Sequence, residues 1–108
     1  LLKPNVKLLD IIDGDIRWII SKDKYNWIVK RGSSNESDQT FAKHCDNFYY
    51  TSLNEMFKKL HQYEFRRHLK SFNFYHIIEA FNQTSDFLEN IGNELDKKFD
   101  RLKEGNAS

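Results

Sequence analysis

The chain carries one cysteine, Cys45, and four scattered glycines. A lone thiol cannot close an internal disulfide, and the paired spacing of a zinc site is missing, so a reducing, cytoplasmic setting and no metal are expected. No apolar run approaches the ~20 residues needed to cross a bilayer, and Leu1-Leu2-Lys3-Pro4 is too short for the apolar core of a signal peptide. No membrane association is therefore expected. Gly14, Gly32, Gly92 and Gly105 lie too far apart to cradle a phosphate, which argues against nucleotide hydrolysis.

A dominant charge of one sign is missing too. Seventeen basic and 16 acidic residues leave a net charge of +1, so no global field draws the chain to DNA or a membrane. That total hides a polarity: residues 1–50 contribute +1, residues 51–70 contribute +3 and residues 71–108 contribute −3. A basic middle segment and an acidic tail are expected to neutralise each other within the molecule.

What the chain does have is aromatic bulk, at 15% of 108 residues. That length suits one domain, 1–108, and large rings let a small core bury much area. The pattern begins with Leu8, Leu9, Ile11 and Ile12, followed by Asp13-Gly14, the dipeptide most tolerant of the positive φ of a tight hairpin. Ile16, Trp18 and Ile20 then alternate with Arg17, Ile19 and Ser21, and Tyr25, Trp27 and Val29 alternate with Asn26, Ile28 and Lys30. Period-two alternation puts each first set on one buried face of a strand. Gly32 to Asp38 has no apolar residue and reads as an exposed, mobile loop. Phe41 to Tyr50 resumes a strand-like texture, read as a fourth strand interrupted near Asp46-Asn47.

Helical signals follow. Ser52-Leu53-Asn54-Glu55 matches a capping box, and Leu53, Met56, Phe57, Leu60 and Tyr63 fall in one stripe that would cover the sheet. Glu64 and Arg67 share that stripe, so either they pair at the rim of the core or the helix projects past it. From Phe74 a seven-residue spacing recurs through Phe81, Leu88, Leu95 and Leu102, with Ile77 and Ile91 as companions. This heptad seam predicts one long or once-kinked helix over residues 72–103. The expected class is α+β: a short antiparallel sheet of three to four strands in residues 1–50, a capped amphipathic helix over 52–70, the long helix, and a frayed tail at 104–108.

Four constellations bear on chemistry. Lys59, Arg66 and Lys70, with Lys58 near and Tyr63 beside them, could follow a phosphate backbone with a ring free to stack; an ordinary solvated helix face has the same composition. His61, Glu64 and His68 lack the four-residue histidine spacing of a helical zinc site. His44-Cys45 on a strand would point to opposite faces, which separates a nucleophile from its base and makes Cys45 a small buried residue. No carboxylate sits in an apolar run that would suit it to acid catalysis, so neither enzymatic activity nor a cofactor is expected. The seam is longer than a sheet can cover, and Phe81, Leu88, Ile91 and Leu95 are expected to join two copies in a homodimer unless the preceding helix folds back over them.

The segment from Ile16 through Ser21-Lys22-Asp23-Lys24-Tyr25 to Val29, with Tyr49-Tyr50-Thr51-Ser52-Leu53 further on, resembles small uncharacterised accessory proteins of bacteriophages and conjugative elements. The likeness covers about residues 15–70 and brings no catalytic residue. It implies a mobile-element accessory protein and nothing sharper. With no catalytic constellation, an asymmetric charge distribution, exposed aromatics and a protruding helix, the expected function is a non-enzymatic module that binds a host or phage protein, such as a host defence nuclease that it would inhibit. Nucleic-acid binding through Lys59, Tyr63, Arg66 and Lys70 is the alternative.

Overall fold

The computed structural model describes the backbone over residues 6–107 and side chains over residues 6–98. The class is α+β, in two compact units, Leu1–Leu53 and Asn54–Ser108. The first unit is an antiparallel sheet of β1 (Val6–Asp13), β2 (Ile16–Lys22), β3 (Trp27–Ser33) and β4 (Asp46–Tyr50), in the order β1-β2-β3-β4, with α1 (Asp38–His44) before the last strand. The second unit holds α2 (Leu53–His68) and α3 (Phe74–Ala107). Seam position Leu102 lies outside the described side chains, and α3 continues to Ala107 through most of the tail expected to fray at 104–108.

The first hairpin closes with Asp13 opposite Ile16, so the two loop residues are Gly14 and Asp15, one position later than the dipeptide suggested. Among the described residues Gly14 alone has positive φ, at 61°, as a loop with its left-handed residue first requires. A bulge between Lys7 and Leu9 interrupts the β1 register, and Leu8 and Leu9 are consequently both buried although adjacent. The second hairpin pairs Lys22 with Trp27. Its turn is organised by Asp23, whose Oδ1 accepts from the amides of Tyr25 at 2.8 Å and Asn26 at 2.6 Å. Those two amides hold the Asp23 carboxyl below its usual range. Tyr25 therefore belongs to an exposed turn, not to the third strand.

Trp18, Ile20 and Val29 are buried on one sheet face, as the alternation required. The opposite face carries Arg17 and Gly32 directly across from each other. There α1 replaces the first half of the expected fourth strand. Ser37 caps it, its Oγ accepting from the Thr40 amide at 3.2 Å, with Asp38 in the first turn and Lys43 and His44 in the last. The cap leaves β4 to begin at Asp46, immediately after Cys45 ends the helix. The supposed loop from Gly32 to Asp38 is thereby divided among the end of β3, a short connection and the start of α1. Cys45 is half-buried at a helix end, not buried on a strand.

Candidate functional interface

α3 begins in a small polar knot. The Asn73 side chain accepts from the His76 amide at 2.9 Å, and Ser71 Oγ lies 2.6 Å from His76 Nδ1 and accepts from the Asn73 amide at 3.3 Å. Asn73 thus caps the helix and fixes where its first turn starts. Where α2 and α3 meet, Phe81 lies against Phe65, with ring centroids 4.7 Å apart, and His61 stacks on Phe65 at 6.1 Å. His61 is thereby committed to an aromatic cluster and parted from Glu64.

The interior stripe of α3 is Ala80, Thr84, Phe87, Ile91 and Leu95, all buried. Rotated by roughly a third of a turn from it lies a second apolar stripe that faces solvent. Phe74 is 84% exposed, Tyr75 73%, Ile78 58% and Phe81 47%, with Phe72 in the preceding turn at 87%. Large side chains carry roughly 150–250 Å² each, so the four helical residues leave on the order of 500 Å² of apolar side chain in water. That sits at the upper end of single patches on monomeric proteins, where binding surfaces are found. The flank of this stripe is acidic. From Ser71 to Asp96 there is no Lys or Arg, whereas Glu79, Asp86, Glu89, Glu94 and Asp96 are all carboxylates. A shallow open cleft of about 210 Å³ is lined by Tyr75, Ile78, Glu79 and Asn82.

The expected self-association set is split by this arrangement. Phe81 is half exposed, Leu88 is half-buried, and Ile91 and Leu95 are interior residues of the folded chain, unavailable to a second copy. The accessible apolar surface therefore lies at Phe74 to Phe81, not at Phe81 to Leu95. Of the basic set, Lys59 and Arg66 are exposed on α2 and Tyr63 is half-buried there, while Lys70 is exposed beyond the helix, which ends at His68 and not at 70 as expected. No ion pair joins those three cations to α3 among the described residues. Among the described residues, these three cations are therefore not neutralised by ion pairs with the acidic helix. Glu64 is fully buried, and its Oε2 accepts from Arg67 Nη2 at 3.1 Å and lies 3.0 Å from His68 Nε2. Glu64 and Arg67 are thus paired, with the carboxylate fully buried and the arginine side chain partly exposed.

The exposed stripe is what sequence reasoning missed. Of its residues only Phe74 and Phe81 stood in the sequence as seam positions, and the available signal was Phe72, Phe74 and Tyr75 crowded around a helix start, where a ring has little to pack against. No family model, curated protein or solved structure matches the chain.

Proposed function

We propose that the chain is a non-enzymatic binding module that docks a protein partner on the amino-terminal face of α3. The observation that carries this reading is the run of large side chains from Phe72 to Phe81 left in solvent at one end of a helix whose other face is buried. Aromatic and aliphatic anchors of this size dominate the energetics of protein interfaces. The likeness of residues 15–70 to proteins of phages and conjugative elements supports a mobile-element accessory role, and makes a host defence nuclease the first partner class to assay. A tagged full-length chain is expected to retain a stoichiometric protein from host lysate, and Phe74→Ser with Ile78→Ser to lose it while the circular dichroism spectrum stays unchanged. Retention of the same protein by that double variant would remove α3 from the role.

A second reading rests on the exposed cations of α2. Lys59 and Arg66 lie within roughly 20° on the helix, with Lys70 just past its end, and could track a phosphate backbone. If they do, Lys59→Ala with Arg66→Ala lowers the slope of log affinity against log salt by about 1.5, near 0.7–0.9 for each phosphate contact. An unchanged slope in a fluorescence titration with single-stranded DNA excludes them.

A further inference from the structure

We infer that the amino-terminal face of α3 takes a basic amphipathic segment, with one Lys or Arg side chain seated in the cleft of Tyr75, Ile78, Glu79 and Asn82. This inference rests on the docking reading above and names the chemistry of the partner.

The cleft joins three features that a basic side chain needs and that a purely apolar or acidic one does not. Ile78 offers an aliphatic wall for a methylene stem, which lysine and arginine bury while the charged head stays at the edge. Tyr75 supplies a ring, largely exposed, over which a cation gains the attraction of the π face. Glu79 places a carboxylate in the same lining, and the Asn82 side chain adds an amide whose oxygen accepts from an ammonium or guanidinium. The wider surroundings act in the same direction. An incoming segment meets a helix with no Lys or Arg between Ser71 and Asp96 and five carboxylates along it. An acidic partner would therefore be repelled along that length, while a basic one is steered to it.

The apolar side chains of the occupant lie on Phe74, Ile78 and Phe81, spaced as anchors for a helix laid along a helix. Tyr75 and Glu79 are one turn apart, so a single cation of the occupant reaches both.

The test uses the full-length chain and two labelled probes, an amphipathic helical peptide of Leu and Lys and its counterpart of Leu and Glu, followed by fluorescence anisotropy in ~150 mM salt, where long-range attraction is screened to about 8 Å. The Leu/Lys peptide is expected to bind at least tenfold more tightly than the Leu/Glu peptide. Glu79→Gln weakens it about fivefold, in line with an exposed ion pair worth up to ~1 kcal/mol. Ile78→Ser weakens it further, and Asp96→Asn, on the same helix outside the cleft, leaves it unchanged. Glu79→Lys shifts preference toward the Leu/Glu peptide. Equal affinity for the two peptides, or loss of the same size on Asp96→Asn as on Glu79→Gln, overturns the inference. So does a chain that sediments as a dimer at high micromolar concentration and becomes monomeric on Ile78→Ser, because a second copy would then occupy the face. If a cellular partner is lost on Phe74→Ser with Ile78→Ser while the peptides are not discriminated, the docking reading stands and the basic chemistry falls.

Discussion

Replacing Gly32 with valine is expected to destabilise the first unit by about 3 kcal/mol, although valine is the better strand former by up to ~1 kcal/mol. A Cβ built at Gly32 would stand 2.8 Å from Phe41 Cε2, 3.0 Å from Cδ2 and 3.3 Å from Cys45 Cβ. The first distance is closer than carbon atoms approach, so the ring must move. Phe41 is fully buried on this face, and the Arg17 guanidinium lies 4.9 Å from its ring centroid. That guanidinium is itself held by two carboxylates, so the ring cannot give way without disturbing them. Valine then acts as overpacking, and displacement of Phe41 forfeits part of the several kcal/mol its burial contributes. Gly32→Ala is expected to cost less, near 2 kcal/mol, and Phe41→Leu to be less damaging in the Ala background than alone. Urea unfolding of the four proteins of that cycle measures the coupling, which should exceed ~1 kcal/mol. A stabilised Gly32→Val would mean that strand propensity outweighs the contact.

The second large effect is expected at Arg17, which ties three elements together. Its Nε donates to Asp10 Oδ1 at 2.8 Å and its Nη2 to Asp10 Oδ2 at 2.6 Å, a two-pronged pairing across β1 and β2, while Nη1 reaches Asp38 Oδ1 of α1 at 2.7 Å. Hydrogen bonds of this kind to carboxylates are the strong ones, and the side chain is mostly shielded. Arg17→Met is expected to cost about 2 kcal/mol at neutral pH, and Arg17→Lys more than half of that, since an ammonium can neither fork nor stack as a guanidinium does. The same contacts make stability pH-dependent. The Arg17 hydrogen bonds lower the Asp10 carboxyl below its ordinary 3.8, against the opposing effect of burial and with help from Lys7. A carboxyl depressed on folding stabilises the native state above its unfolded value and loses that contribution as pH falls through its folded value. The effect is therefore confined to acid, below about pH 4. Asp10→Asn should be less stable than the parent at pH 7 by about 1 kcal/mol, and the gap in urea midpoint should close by about pH 2. A gap that stays constant from pH 7 to pH 2 would show that the carboxylate's charge contributes nothing.

Strand periodicity was legible along much of β2 but not along β1 or β3, where Leu8 and Leu9, and Trp27, Ile28 and Val29, are buried in succession. Trp18 and Ile20 against Arg17 and Ile19 read correctly because one side of β2 is interior, and the start of α2 at Leu53 followed from its helical pattern. The short helix α1 was not legible as such. Phe41, Phe48, Tyr49 and Tyr50 gave the whole stretch a strand-like texture, while the deciding features were a one-turn cap at Ser37 and the tertiary fit of Phe41 over a residue with no side chain. Gly32 could not announce that role in advance, since its φ is ordinary and only packing demands it.

The heptad seam predicted the long helix, but its positions do not share one environment, for a geometric reason. A seven-residue repeat on a straight helix drifts by about 20° per heptad, so Phe74 and Leu95, three repeats apart, differ by roughly 60°. The seam consequently starts in solvent at Phe74 and ends in the interior at Leu95. The true interior stripe runs through Ala80 and Thr84, small and polar residues that a hydrophobic count passes over. The exposed stripe, which carries the functional proposal, takes Phe74 and Phe81 from the outward-turned end of the seam and adds Tyr75 and Ile78, which lie off it.

Site-specific photo-crosslinking in the host cell tests that proposal most directly. A crosslinking amino acid placed at Ile78 is expected to capture one discrete protein, and the same group placed at Lys59 to capture none. Protein adducts formed from Lys59 alone, or crosslinks to nucleic acid from Lys59 with nothing captured at Ile78, would contradict the account.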